Sequence, residues 1–253
     1  MGLFAQVNSR MDEAECDVSE PPSLAIVPDE CAAVARDIAI AQDLENSLDE
    51  IWAALRSRQL HDTEAKGQLF ALAHWEPHEG ATTLAATLAY RAAQADPAST
   101  FCLVDFDLFN SALSFLTELD AELGVSNVLL GQATFEESLA ATCLENLTII
   151  PAGYPSVGRH VAQLHDRCQE LCEILAEQFD YVLLDIPCLR RHPNFAFWAS
   201  GLSQAVLVAR SGQARRPTIA KAIATLKLMR LDVAGIILNA REYHGPAWLH
   251  SRA

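Results

Sequence analysis

The stretch Phe70-Ala-Leu-Ala-His-Trp-Glu-Pro-His-Glu-Gly-Ala-Thr-Thr-Leu-Ala-Ala-Thr-Leu-Ala89 constrains the fold more than any other part of the chain. Phe70, Ala71, Leu72 and Ala73 form the short apolar run of a fully buried strand. Pro77 and Gly80 punctuate a turn, and Thr82 and Thr83, followed by Leu84, Leu88 and Ala89 at helical spacing, open an amphipathic helix. A strand that feeds a helix N-terminus through a tight turn is how a phosphate-binding loop is built, because exposed N–H groups and the helix dipole both favour an anion. The common form of that loop is G-x-x-x-x-G-K-[ST], whose lysine reaches the β and γ phosphates. Here Trp75 stands at the first glycine position, His78 at a further glycine position two residues before the last, and Ala81 at the lysine. The outline of the loop is kept without its defining cation.

The rest of the chain alternates strands and helices around this unit. Apolar strands are expected at residues 100–105, 147–151, 181–185, 205–209 and 233–238, and helices at 81–94, 111–119, 127–130, 161–178 and 217–230, the last with Pro217 near its start. Residues 31–59 read as two helices or one long irregular one, with Ile51, Trp52 and Leu55 on one face. Thr134-x-x-Glu137 is a capping-box pattern opening residues 134–141. Strands apolar on both faces and alternating with helices imply an α/β fold, a mostly parallel central sheet with helices on both faces. The expected organisation is an acidic tail over 1–30, a helical segment over 31–66, the α/β domain over 67–242 and a short tail over 243–253. Ligands of such sheets gather at the carboxyl ends of the strands. Asp105, Asp107, Gly153, Asp185, Arg210 and Asn239 all fall at or just beyond strand ends, beside the 74–83 loop.

With 253 residues, 51% of them hydrophobic, the chain suffices for one substantial domain and a tail. It has neither an apolar run of membrane-spanning length nor a charged-then-apolar leader, so a cytoplasmic protein is expected. The seven cysteines include no C-x-x-C pair and lie mostly in apolar segments, as reduced buried thiols do. His165, Cys168 and Cys172 share a helix face without an evident fourth ligand, and core packing is the simpler reading. The net charge of −15 argues against nucleic acid as a partner. Residues 1–50 hold twelve acids against two arginines, a net of −10, which leaves −5 for the remainder. The acidic stretch before Pro21-Pro22 reads as a disordered tail, solubilising or partner-binding.

Three pieces line up: the loop, a strand ending Val104-Asp105-Phe106-Asp107, and a strand ending Leu183-Leu184-Asp185-Ile186-Pro187. On these residues the sequence resembles the bacterial tyrosine-kinase (BY-kinase) family, deviant P-loop NTPase-like proteins that partner polysaccharide co-polymerases in capsule and exopolysaccharide assembly. The family's loop is like S-x-x-P-G-E-G-K-[ST]-T; this chain keeps Pro77, Glu79, Gly80, Thr82 and Thr83, with His78 and Ala81 in place of the Gly and the Lys. Its D-x-D-x-R motif is matched by Asp105 and Asp107, with Phe109 at the Arg. Its D-x-P-P motif is matched by Asp185 and Pro187, with Cys188 at the last Pro. Gly124-Val-Ser-Asn-Val-Leu-Leu-Gly131 and Leu147-Thr-Ile-Ile-Pro-Ala-Gly153 resemble the linking segments.

The resemblance implies ATP and magnesium as cofactors, with residues 77–83, Arg210 and Asn239 around the nucleotide, Thr82, Asp105 and Asp185 at the metal, and Asp105, Asp107 and Asp185 as catalytic acids. The same residues read equally as a helix start and strand-end acids kept by ancestry. Phosphoryl transfer relies on positioning and charge neutralisation, so an absent lysine costs on the order of 10² to 10³ in rate, by analogy with deleted oxyanion donors. Of the three lysines, Lys66 is at the wrong end of its strand and Lys221 and Lys227 lie on a late helix. Arg210 is the candidate substitute. The family's tyrosine cluster is reduced to Tyr243, and its E-x-x-R-x-x-R helix to Glu50 and Arg56 with Ala53 between them, which bears on homo-oligomer formation. The reading is a catalytically degenerate regulatory or scaffold partner of a membrane polysaccharide co-polymerase, with no cofactor expected. Its alternatives are a tyrosine autokinase or ATPase using a displaced cation, and a partitioning or positioning ATPase.

Overall fold

The computed structural model describes residues 42–57, 67–110, 112–113, 123–153, 164–192, 195 and 201–240. Within them, helix α1 (Gln42–Arg56) precedes β1 (Gln68–His74), α2 (Ala81–Ala95), β2 (Phe101–Asp105), α3 (Val125–Leu130), β3 (Ala140–Ala141), β4 (Leu147–Ile150), α4 (His165–Gln178), β5 (Tyr181–Asp185), β6 (Gln204–Arg210), α5 (Arg216–Leu228) and β7 (Asp232–Asn239). The sheet runs in the order β3-β4-β2-β5-β1-β6-β7. Every pairing is parallel except that of β3 with β4.

Strand alternation sorts the central residues into two apolar layers. Ala71, Ala73, Cys102, Val104, Val182 and Leu184 face α4, which contributes Cys168, Leu171, Cys172 and Leu175. Phe70, Leu72, Leu103, Leu183, Val206 and Val208 face α1 and α2, with Leu84, Ala85, Leu88 and Trp52 beneath them. The expected core thiols are there: Cys102, Cys168, Cys172 and Cys188 are buried and free, while Cys143 is exposed. Among the described residues no helix is long and apolar enough to cross a membrane.

The region 134–141 differs from the expected helix. Thr134 and Glu137 do form the reciprocal cap, with the Thr134 N–H donating to Glu137 Oε2 at 2.8 Å and the Glu137 N–H to Thr134 Oγ1 at 3.3 Å. Only a single 3₁₀ turn follows, Glu136–Ser138, before β3 pairs with β4 at the sheet edge. Leu139 is 37% exposed, so the segment has no apolar stripe to bury as a helix. The 31–59 segment contributes one helix, α1, with residues 31–41 and 58–59 outside the described part. Of the helix expected at 111–119 only residues 112 and 113, both helical, are described. The tails at 1–30 and 243–253, with Tyr243, also lie outside.

Candidate functional site

The strand-to-helix turn between β1 and α2 is braced from within and from both later strands. The Glu79 carboxylate folds back beneath the turn, accepting the Trp75 and Glu76 N–H groups at 2.9 Å each on Oε2 and the Arg210 N–H at 3.4 Å on Oε1. Asn239 Nδ2 donates to the Glu79 carbonyl at 2.9 Å. Arg210 Nη1 donates to the His78 carbonyl at 3.4 Å. Arg210 and Asn239 therefore meet the loop as braces on its carbonyls. Pro77 is half-buried and His78 exposed. His78 has φ +65° and Gly80 φ +84°. Glycine takes that conformation freely, whereas a residue with a Cβ is strained in it.

Gly80 is the N-cap of α2, with no side-chain cap and no acid in the first turn, so the helix start presents its N–H groups and dipole uncompensated. Ala81, 3% exposed, is packed into the layer shared with Leu84 and Ala85. Thr82 and Thr83 are half-buried, and Thr83 gives its carbonyl to the Thr87 hydroxyl at 2.7 Å.

Parallel register places Asp105 beside Asp185 at the ends of β2 and β5, both fully buried. Asp105 Oδ1 accepts the Asp107 N–H at 3.2 Å. Neither oxygen of Asp185 has a hydrogen bond of good geometry. Burial pushes its carboxyl up to about 7; the facing Thr82 hydroxyl offsets part of that and the Asp107 charge adds to it. Burial raises Asp107 as well, against the Phe109 and Asn110 N–H groups and His192. Thr82, Asp107 and the two strand-end acids thus lie together at the carboxyl ends of β2 and β5. Among the described residues, no group of three or more His, Cys, Asp or Glu side chains is placed to hold a metal ion.

Several neighbours were not foreseen. Phe109, in the arginine position, stacks on His192 with ring centroids 3.9 Å apart and 12° between planes. The segment carrying His192 is fastened to the loop: the Cys188 thiol donates to the Trp75 carbonyl at 3.0 Å, the Leu189 N–H to the His74 carbonyl at 3.0 Å, and Arg190 pairs with Glu76 at 2.8 Å. His74 is buried, its Nδ1 without a partner, and burial together with the His192 and His78 charges lowers its pKa to about 4. The signal for this segment was present, since Leu189-Arg190-Arg191-His192 follows a strand-end acid, where ligands of parallel sheets gather. Gly153 instead packs against the start of α3, where an added Cβ would meet Ser126 and Asn127.

No family profile matches the chain. It is 27% identical over 164 residues to the tyrosine-protein kinase CpsD of Streptococcus pneumoniae, an alignment covering 64% of this chain and 71% of that protein. The kinase domain of the Escherichia coli tyrosine kinase ETK superposes with a TM-score of 0.72 at 20% identity, covering 95% of this chain and 89% of that one. The septum site-determining protein MinD of Pyrococcus horikoshii, solved in complex with Mg-ADP, superposes with a TM-score of 0.57 at 23% identity, covering 72% and 75%.

Proposed function

This chain is homologous to the bacterial tyrosine kinases, and from that premise we propose that it is a catalytically degenerate relative acting by binding, as a regulatory or scaffold partner of a membrane polysaccharide co-polymerase in exopolysaccharide or capsule biosynthesis. The homology supports, at its broadest, a function of the kinase or ATPase type. The narrower reading rests on one observation: the position of the loop lysine is Ala81, buried in the apolar layer shared with Leu84 and Ala85. Arg210, the candidate substitute, directs Nη1 to the His78 carbonyl. The acids fit a hydrated divalent cation held jointly with a nucleotide, but the loop lacks the lysine that would neutralise the phosphates, so the residue set departs from a working magnesium-nucleotide site. His78 places a Cβ and a ring where close approach of phosphate needs a glycine.

The test is calorimetric titration of the full chain with magnesium-ATP, beside an Ala81→Lys variant. The expected result is no binding heat for the wild type and recovered binding in the micromolar range for the variant, whose long stem can follow the apolar layer while its ammonium reaches the loop. Micromolar binding with turnover by the wild type overturns the reading. Loss of that turnover in Arg210→Ala would then identify the displaced cation.

A further inference from the structure

Between Asp185 and Asp232 the chain has no acid: residues 186–231 carry eight lysines and arginines and none of the 33 Asp and Glu residues of a protein whose net charge is −15. In the described part this basic run includes α5, which packs against β6 and β7 at the edge of the sheet. The helix buries one side, Ala222 and Leu226, with Leu226 in the layer that holds Met229 and Leu231. Its opposite side is unlike a solvated helix face. At about 100° per residue, the exposed Pro217, Ala220, Ala224 and Leu228 form one stripe along the helix, bordered by Arg216 and Lys227 on one flank and Lys221 on the other. Solvated faces ordinarily interleave the two signs and set an acid four residues before a base. No acid stands anywhere on α5, and among the described ion pairs none involves these three cations.

The end of the helix extends the pattern. The Arg230 N–H donates to the Lys227 carbonyl and the Leu231 N–H to the Leu226 carbonyl, each at 3.0 Å, which closes α5 in a Schellman turn. Arg230 holds the left-handed position of that turn, at φ +61°, where glycine is the unstrained residue. An exposed arginine therefore occupies a strained position two residues from Leu228, which is 86% exposed. On the neighbouring edge strand Ile237 packs in the layer of α1 and α2, so alternation turns the exposed Ile236 and Leu238 to the side of α5. An apolar midline between cations, whose aliphatic stems can lie on apolar surface while their charged heads reach outward, is the pattern of a helix lying in a bilayer interface. The stripe has none of the tryptophan or tyrosine anchors that concentrate affinity at protein–protein contacts. In the same layer α4 exposes Glu170, Glu173 and Glu177, so the approach is edge-on, through α5 and β7, with α4 turned away. Acids farther than about 8 Å from the contact are screened at physiological salt, so the local sign outweighs the net charge.

We propose that the outer side of α5 docks on an anionic lipid bilayer, with Arg216, Lys221, Lys227 and Arg230 against the headgroups and Leu228 in the boundary between headgroups and acyl chains. This goes beyond the proposed function, because the contact needs neither a membrane protein nor a nucleotide. The test sediments the full chain with vesicles of phosphatidylcholine, alone or with about 40% phosphatidylglycerol. The wild type is expected to bind the anionic vesicles at about 0.05 M NaCl, at least tenfold more weakly at about 0.5 M, and the neutral vesicles not at all. Lys221→Gln with Lys227→Gln should weaken binding on the order of 25-fold, at about fivefold per cation. Leu228→Ser, which leaves the charge unchanged, should weaken it roughly tenfold. Both variants should melt with the wild type, because the substituted side chains are exposed. Soluble polyglutamate should bind far more weakly than the anionic vesicles. Absent vesicle binding, equal binding to neutral and anionic vesicles, or full affinity in either variant each overturns the proposal. So does polyglutamate bound as tightly as the anionic vesicles, the mark of an acidic protein partner.

Discussion

Gly80 carries two constraints that act through different atoms. Its φ of +84° penalises any side chain, and an added Cβ would collide with Asn239 Nδ2, which holds the Glu79 carbonyl. Gly80→Ala should destabilise the chain by about 1–3 kcal/mol. Asn239→Ala should remove the collision but leave the dihedral cost, so the double variant should be less unstable than the sum of the singles. A denaturation cycle measures the coupling, and strict additivity would contradict it. Asp185 and His74 make a second prediction, about pH. Asp185 titrates near 7 when folded against 3.8 ordinarily, so between those values the native state keeps a proton that the unfolded state has lost, and stability falls as pH rises. His74, near 4 when folded against 6.5 ordinarily, works the other way: the unfolded state holds the extra proton, and stability rises with pH. Each slope reaches up to about 1.4 kcal/mol per pH unit, and over roughly pH 4.5–6.5 they oppose one another. Asp185→Asn should expose the His74 slope, melting close to wild type at pH 4.5 and several degrees above it at pH 7.5. Parallel melting curves across that range would refute the assignment. None of this coupling is visible in the sequence, because it depends on the burial of His74 and Asp185, and periodicity gives no measure of how dry a strand end is.

Among the elements, α1 is held chiefly by one ring. Trp52, 4% exposed, meets Phe101 of β2 at 5.4 Å and Tyr181 of β5 at 4.7 Å between centroids, and those two rings stack at 5.3 Å. Leu48 and Leu55 complete its buried face. Trp52→Ala should cost about 3–5 kcal/mol, and at about 2–4 °C per kcal/mol for a domain of this size the melting temperature should fall by roughly 10 °C. Trp52→Phe keeps most of the packing and removes an indole N–H that is buried without a partner, so it should lie within about 1 kcal/mol of wild type. Calorimetric melts of the two variants separate packing from polarity; equal losses would mean that the ring is not the anchor. The sequence placed Ile51, Trp52 and Leu55 on one face but could not say what that face covers. Arg56, matched there to an oligomerisation pattern, pairs with Asp96 of its own chain. The strand-to-helix turn was legible because glycine, proline and the helical spacing after Thr83 act locally. The attachment of the segment after Cys188 to the loop was missed because it runs through backbone carbonyls of His74 and Trp75, although the basic run at the strand end was there to be read.

Across the whole molecule, the parallel sheet could be read because central strands are apolar on both faces, and β1, β2 and β5 are buried almost throughout. The same rule misleads at the edge. Val233-Ala-Gly-Ile-Ile-Leu238 has the composition of a central strand, yet β7 is last in the sheet order, and Ile236 and Leu238 are 44% and 56% exposed. Leu228, at the end of α5, is 86% exposed. No property of the six residues distinguishes a strand with one neighbour from a strand with two. Among the described residues nothing pairs with the outer side of β7, and a long apolar edge of this kind is a template for adding further strands. A charge on that edge should block the addition without touching the core. Ile236→Lys is therefore expected to leave the melting temperature within about 1 °C, as exposed substitutions do, while raising the temperature at which turbidity begins. Light scattering recorded alongside circular dichroism reads the two separately. A variant that melts and clouds together with the wild type would show that aggregation starts elsewhere, from core surface released on unfolding rather than from the edge of the folded sheet.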